Sequence, residues 1–138
     1  MKKPTVAGTS PELYTQDVDP NITAITITFS QPMKKTDWFY SSIPQAWLPE
    51  SNGPPFFDPC GVKWTLPVNL EPGKVYAIAL NYSENEKTIK NAPVGFCSVS
   101  SQKCESFILL FATADANQES TYIEDETIEK CDKINSKP

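Results

Sequence analysis

The chain has 138 residues, with 17 acidic and 12 basic side chains and no histidine, so its formal net charge is −5. This length fits one domain that is large enough to bury a core. The sequence has no basic stripe that could neutralise phosphates, and its longest apolar runs are the six residues of 75–80 and of 107–112. We therefore expect neither nucleic-acid binding nor membrane insertion.

Proline is unusually frequent in this chain, with 13 residues against 5 glycines, and aromatic residues make up 11%. Such a composition is typical of many short extended segments and favours an all-β domain over a helical bundle. The chain begins with two lysines after Met1, but no apolar stretch follows them. We interpret Met1 as the start of a mature domain from which any export signal has been removed.

The first two predicted strands lie at residues 4–9 and 25–30. In the second one, Ile25, Ile27 and Phe29 alternate with hydroxyl side chains, which is the period of a half-buried strand. An Asp-Pro-Asn turn at 19–21 precedes this strand. Pro32 ends it because proline cannot donate to a ladder of backbone hydrogen bonds.

Five further strands are predicted along the chain. They are the aromatic segment 36–43, the weaker segment 55–58, the alternating segments 62–66 and 76–80, and the apolar segment 105–113. A Glu-Pro-Gly-Lys turn at 71–74 joins the alternating pair, either as a hairpin or as a crossover between two sheets. Seven short strands separated by turn residues predict an immunoglobulin-like β-sandwich.

The last predicted strand is apolar on both faces. Three of its alternating residues can face the core: Phe107, Leu109 and Phe111. Ile108 and Leu110 then lie on the opposite face, where a sandwich strand normally carries polar residues. We expect the C-terminal tail to cover them through Ile123 and Ile128.

The tail, residues 114–138, differs from the sandwich domain of residues 1–113. It carries seven acidic side chains against three lysines. Ser120 can cap a helix with an imperfect apolar stripe, formed by Ile123, Ile128, Cys131 and Ile134. The prediction is a short helix packed on the domain, with a disordered linker as the alternative, because low hydrophobicity with high charge is also typical of disorder.

The chain contains four cysteines, Cys60, Cys97, Cys104 and Cys131, without any CxxC pair. Since there is no histidine either, this pattern favours disulfides in an oxidising, extracytoplasmic compartment over a metal site. Cys97 and Cys104 are seven residues apart and are expected to pair, which leaves Cys60 and Cys131 for a second bridge. Pairing of Cys60 with Cys97 or Cys104 is the alternative.

Three segments carry a resemblance to a known family. They are TSPELYTQDVDPNITAITITFSQPM (9–33), WTLPVNLEPGKVYAIAL (64–80) and FILLFAT (107–113). In this order and spacing they resemble the bacterial Ig-like domains of S-layer and other envelope proteins, over most of residues 4–113. The resemblance implies a non-catalytic module of an exported or cell-surface protein, with neighbouring domains in the same parent protein.

One of these segments also contains a structural motif. Leu70, Pro72, Gly73 and Tyr76 fit the tyrosine corner of immunoglobulin-like sandwiches, in which a tyrosine near the start of a strand bonds the backbone of the preceding crossover. We expect this corner to lock the connection between the sheets and to have no chemical role.

Two groups of residues are candidates for binding sites. Asp17, Asp19 and Asn21 place oxygen atoms at alternate positions, as a calcium loop does, but a turn bonded to its own side chains is the preferred interpretation. An aromatic group, Trp38, Tyr40 and Trp47, could stack on sugar rings or contact a protein. The preferred interpretation is that Trp38 and Tyr40 belong to the core and that Trp47 folds back over its edge.

The sequence offers little for catalysis. It has no histidine for a Ser-His or Cys-His pair, and it contains neither a nucleophile elbow nor a phosphate-binding glycine loop. We expect no enzyme activity and no cofactor. The leading hypothesis is a spacer or protein-interaction module, and the alternative is a carbohydrate-binding module of an exported hydrolase. The expected partners are proteins or cell-wall polysaccharides.

Overall fold

The computed structural model describes residues 3–36, 38–82 and 95–136. Within them lie strands β1 (Val6–Ser10), β2 (Ala24–Phe29), β3 (Tyr40–Ser41), β4 (Glu50–Ser51), β5 (Phe56–Phe57), β6 (Lys63–Asn69), β7 (Val75–Leu80) and β8 (Phe107–Ala112), and helix α1 (Asp125–Asn135). Residues 83–94, the first part of the long polar connection between β7 and β8, lie outside the described residues.

The strands form two antiparallel sheets. The first sheet has the order β1-β2-β6-β4, with β5 also paired to β6, and the second has the order β3-β7-β8. Strands β6 and β7 belong to different sheets, so the turn at 71–74 is a crossover and not a hairpin. The all-β prediction is confirmed at the level of two antiparallel sheets with one C-terminal helix.

The main core lies between the two sheets and is called here the intersheet core. Most of its buried side chains come from every second residue of the long strands: Ile25, Ile27 and Phe29 of β2, Trp64, Leu66 and Val68 of β6, Tyr76, Ile78 and Leu80 of β7, and Leu109 and Phe111 of β8. In β2 the hydroxyl side chains between these residues are only partly buried. The period of two therefore identified the inward face of these strands correctly.

A second core lies on the other face of the β3-β7-β8 sheet and is called here the helix-side core. Its buried members are Ile43, Ala77, Ala79, Ile108, Leu110, Ala112, Ile123 and Cys131, with Ile128 and Ile134 partly buried against them. The expected cover over Ile108 and Leu110 is thus present. The tail packs against the sandwich as far as Ser136. The alternative prediction, a disordered linker, is therefore wrong for this part of the tail.

Helix α1 starts later than the sequence suggested. Its N-cap is Glu124, which makes no side-chain capping bond, so the prediction that Ser120 caps the helix is wrong. The backbone before the helix is held against residues far away in sequence, because the N–H groups of Thr121 and Ile123 donate to the carbonyl and side-chain oxygens of Gln16 (2.7 and 3.1 Å). The helix can begin only after these contacts end.

The short strands also differ from the prediction. The aromatic segment 36–43 forms only the two-residue strand β3, segment 55–58 only β5, and β4 was not predicted. Pro44 and Pro49 limit ladder pairing around β3 and β4, and two-residue strands have no detectable period. Strands of this length are defined by their hydrogen bonds to a neighbouring strand, so their own sequence does not predict them.

Candidate functional site

The structure separates the three aromatic residues that were candidates for a binding platform. Trp38 and Tyr40 pack against the buried Trp64, with ring centroids 6.2 and 5.3 Å apart. Trp38 also stacks on Phe96 at 6.4 Å. Trp47 is 63% exposed. The contacts of Trp38 and Tyr40 with the core agree with the preferred interpretation. Trp47, however, stays exposed and does not fold back over the edge of the core, and the three rings do not form one platform.

Trp47 is held firmly at the edge of the second sheet. Its N–H donates to the carbonyl of Val75 (2.9 Å), and its carbonyl accepts from the N–H of Ala77 (3.0 Å). These bonds add the Trp47 backbone to β7 as a parallel bridge. The side chain is therefore presented to solvent from a fixed backbone, which lowers the entropy cost of any contact it makes.

Two further residues belong to this exposed surface and were not identified from the sequence. The Lys74 ammonium lies 4.6 Å from the centroid of the Trp47 ring, within the range of a cation–π contact. A hydrogen bond from Lys74 to Glu71 raises the pKa of Lys74. Leu48, next to Trp47, is also exposed. Trp47, Leu48 and Lys74 are called the Trp47 patch below.

The tyrosine corner lies directly beside this patch. The Tyr76 hydroxyl accepts a hydrogen bond from the N–H of Glu71 (2.9 Å), which is the contact expected for the corner. Gly73 has a φ of +68°, a conformation that glycine adopts without strain, and Leu70 packs against the intersheet core. The corner fixes the crossover between the sheets, and Pro72 lies exposed in its turn.

The calcium candidate forms a turn. The Asp19 carboxylate accepts a hydrogen bond from the N–H of Asn21 (2.9 Å), so the acid bonds its own backbone two residues on. Asp17, Asp19 and Asn21 are all exposed. Across the described part of the chain, no group of three cysteine or acidic residues comes together as a metal site would require.

Neither predicted disulfide is present, and all four cysteines are free thiols in the structure. In the hairpin around residues 97–103, Cys97 lies opposite Lys103, whereas the N–H of Cys104 donates to the carbonyl of Phe96. Opposite residues share a face, so Cys97 and Cys104 point to different faces. This geometry explains why the prediction of a Cys97–Cys104 bridge is wrong.

The second predicted bridge fails because its two cysteines are on different sides of a sheet. Cys131 is buried in the helix-side core, and Cys60 is exposed in the turn between β5 and β6 of the first sheet. The β3-β7-β8 sheet therefore lies between them. Burial raises the pKa of Cys104 to about 12 and that of Cys131 to about 11, so both thiols stay protonated and unreactive near neutral pH.

Among the residues described, Ser101 and Lys34 bring a hydroxyl and an amine together. The Lys34 ammonium donates to the Ser101 hydroxyl oxygen at 2.9 Å. Both residues are exposed, so this is a solvated surface contact.

Comparisons of the chain with protein-family models, with curated proteins and with solved structures found no match. In the described ranges, no helix has both the length and the apolar composition needed to cross a bilayer.

Proposed function

We propose that this protein is a non-catalytic immunoglobulin-like module of an exported or cell-surface bacterial protein, which serves as a spacer or as a protein-interaction domain. The order of the strands carries this proposal. Constant-type immunoglobulin domains have strands A, B, E and D in one sheet and C, F and G in the other. With β4 and β5 taken together as strand D, the orders β1-β2-β6-β4 and β3-β7-β8 correspond to A-B-E-D and C-F-G.

The tyrosine corner gives independent support. In immunoglobulin-like domains the corner tyrosine lies near the start of strand F and bonds backbone a few residues upstream. Tyr76 is the second residue of β7, the strand that corresponds to F, and it bonds Glu71. Two features depart from antibody domains: the buried Trp64 lies on β6, which corresponds to strand E, and helix α1 is an addition.

An interaction role is supported by the Trp47 patch. Tryptophan is among the residues that most often dominate the binding energy of protein interfaces. Trp47 combines high exposure with a backbone fixed on β7. The carbohydrate-binding alternative loses its main support, because Trp38 and Tyr40 pack against the core and leave Trp47 without an aromatic neighbour from the candidate set.

The proposed location outside the cytoplasm is supported by the resemblance to envelope proteins. The four free thiols give it no support. Fractionation of cells that produce the protein, with protease treatment of intact cells, tests this half of the proposal. We expect the protein in the surface or periplasmic fraction. Recovery in the cytoplasmic fraction alone would contradict an exported module.

The interaction half of the proposal is tested by photo-crosslinking in the same cells. A photoreactive phenylalanine analogue replaces Trp47 in one variant and Tyr122 in a matched control, because these aromatic residues have similar exposure, 63% and 67%. We expect a discrete crosslinked protein from position 47 and none from position 122. The absence of any product at position 47 would leave the spacer role and remove the interaction role.

A further inference from the structure

We propose that a cleft between Gln45 and the first turn of helix α1 binds the guanidinium group of an arginine side chain on a partner protein. The inference rests on the proposed interaction role of the Trp47 patch. It adds a second contact site beside that patch and states which chemical group the partner brings to it.

The cleft lies next to the Trp47 patch. It has a volume of about 440 Å³ and is lined by Gln45, Glu124, Glu126 and Thr127. Gln45 precedes Trp47 by two residues, which span at most about 7 Å of chain. A protein that contacts the patch is therefore also within reach of the cleft.

The cleft carries a net negative charge. The Glu124 side chain makes no capping bond, and neither it nor the Glu126 side chain forms an ion pair or a hydrogen bond with the described part of the chain. Lys130 lies beside the cleft, where its ammonium donates to the Gln45 side-chain oxygen at 3.2 Å. Two carboxylates against one ammonium leave an excess of negative charge, and the positive end of the helix dipole, about half a unit charge, does not reverse it. The cleft therefore favours a cationic ligand.

A buried hydroxyl group also lines the cleft. Thr127 is only 7% exposed, and its side-chain oxygen has no hydrogen-bond partner among the residues that the structure describes. Buried side-chain hydroxyls normally have one. An unpaired hydroxyl oxygen beside two carboxylates fits a ligand that donates several hydrogen bonds and accepts none.

Of the cationic groups that proteins carry, guanidinium fits these properties best. It presents several N–H donors in a planar fork, so it can bond more than one acceptor at once. A lysine ammonium is more strongly hydrated and is therefore costlier to bring into a cleft. Arginine and tryptophan are also both enriched among the residues that dominate protein interfaces, which agrees with a site beside Trp47.

Two-dimensional NMR of the protein at low ionic strength tests the site, with N-acetyl-arginine N-methylamide as the probe. We expect a saturable shift of the backbone amide signals of Gln45 and Thr127, with a dissociation constant in the millimolar range, because a single side chain makes few contacts. The citrulline analogue has the same shape without the charge, and the lysine analogue has the charge without the planar fork. Both should bind more weakly, the citrulline analogue by about tenfold or more.

The two carboxylates are tested by a double variant, Glu124→Gln with Glu126→Gln. It should bind the arginine probe about tenfold more weakly, because both charge-assisted hydrogen bonds are lost. The matched control is Asp125→Asn with Glu129→Gln, which removes the same charge from the same helix at positions that do not line the cleft. This control should keep the wild-type affinity.

The buried hydroxyl is tested by Thr127→Val, which keeps the shape of the side chain. This variant should bind the arginine probe about threefold more weakly. It should also be at least as stable as the wild type in urea, because the hydroxyl has no partner within the described chain to lose. A purely structural role of Thr127 would instead lower the stability and leave the affinity unchanged.

The proposal is overturned if the arginine probe shifts no amide at the cleft, or if the double glutamine variant binds it as tightly as the wild type does. Equal binding of the citrulline or the lysine analogue would likewise overturn the assignment to guanidinium. Each of these results is obtained without the crosslink at position 47, so a failure of this site is distinguishable from a failure of the proposed interaction role.

Discussion

The domain has two cores on opposite faces of one sheet, and they are built differently. The intersheet core is filled by large aromatic and branched side chains that meet across two sheets. The helix-side core contains three alanines of β7 and β8, Ala77, Ala79 and Ala112, beneath a helix that is acidic outside its apolar stripe. Small side chains let the helix approach the sheet closely, whereas two sheets about 10 Å apart need large ones to fill the space.

This difference explains why one core was easier to predict than the other. A core between two sheets can be predicted from each strand separately, because every second residue of the strand is apolar. A helix-on-sheet core also depends on the covering segment, and the imperfect apolar stripe of the acidic tail predicted a short helix but left a disordered linker as the alternative. Deleting α1 and truncating a side chain of the intersheet core should therefore measure separately how much each core contributes to the free energy of unfolding.

The largest effect is expected when the chain is shortened to end at Ser120. This change removes the buried side chains of Ile123 and Cys131 and the partly buried Ile128 and Ile134. At about 1.5 to 3 kcal/mol for each fully buried side chain, the free energy of unfolding should fall by on the order of 5 kcal/mol. Urea unfolding followed by circular dichroism measures this fall, and we also expect self-association. An unchanged midpoint in a monomeric protein would mean that α1 contributes nothing to the domain.

A somewhat smaller loss is expected for Trp64→Ala in the intersheet core. Trp64 is fully buried and touches the rings of Trp38, Tyr40 and Phe96. Truncation of a buried tryptophan costs about 3 to 5 kcal/mol, through lost burial and the cavity that remains. Trp47→Ala is the control, because this exposed tryptophan should change stability by less than about 0.5 kcal/mol. Equal losses in the two variants would contradict the assignment of Trp64 as the centre of the core.

Some parts of the fold could be predicted from the sequence alone, because the residues that determine them lie within one strand or one turn. The alternation in β2 predicted its inward face, and the apolar residues on both faces of β8 predicted that another segment covers the outer face. The turn before Tyr76 predicted the tyrosine corner. In each case the relevant residues are neighbours in the sequence, so their pattern can be read directly.

Other parts depend on contacts between distant residues and could not be predicted. The start of α1 is set by bonds to Gln16, more than a hundred positions earlier. The preferred interpretation placed Trp38 and Tyr40 in the core, but the sequence does not show that Trp64 is the ring against which both pack. The cysteine pairing failed for the same reason, since seven residues of separation give a short loop but do not fix the faces on which Cys97 and Cys104 lie.

A moderate effect is expected for Tyr76→Phe at the crossover that links the two sheets. The change removes the hydroxyl that accepts from the Glu71 N–H and keeps the ring that packs on Phe111 at 5.7 Å. A single hydrogen bond of this type contributes about 0.5 to 1.5 kcal/mol to stability, and the loss should fall in this range. Tyr122→Phe removes an equivalent hydroxyl from an exposed side chain and should have no measurable effect. If the two variants have the same unfolding midpoint, the corner does not stabilise the crossover.

The smallest effect is expected on stability at alkaline pH, through the ionisable side chain of Tyr14 beside the helix-side core. Partial burial, together with the hydrogen bond to Asp132, raises the pKa of Tyr14 above its usual value of 10.0. The folded protein therefore keeps a proton that the unfolded chain releases, and the stabilisation is fully present below pH 10 and is lost as pH rises beyond it. Tyr14→Phe cannot ionise, so it should be slightly less stable at neutral pH but should show a shallower decline between pH 9.5 and 11. Urea midpoints across this range measure the difference, with Tyr122→Phe as the control that keeps the wild-type decline. Parallel curves for the wild type and Tyr14→Phe would show that the contact with Asp132 does not hold the helix against the sheet.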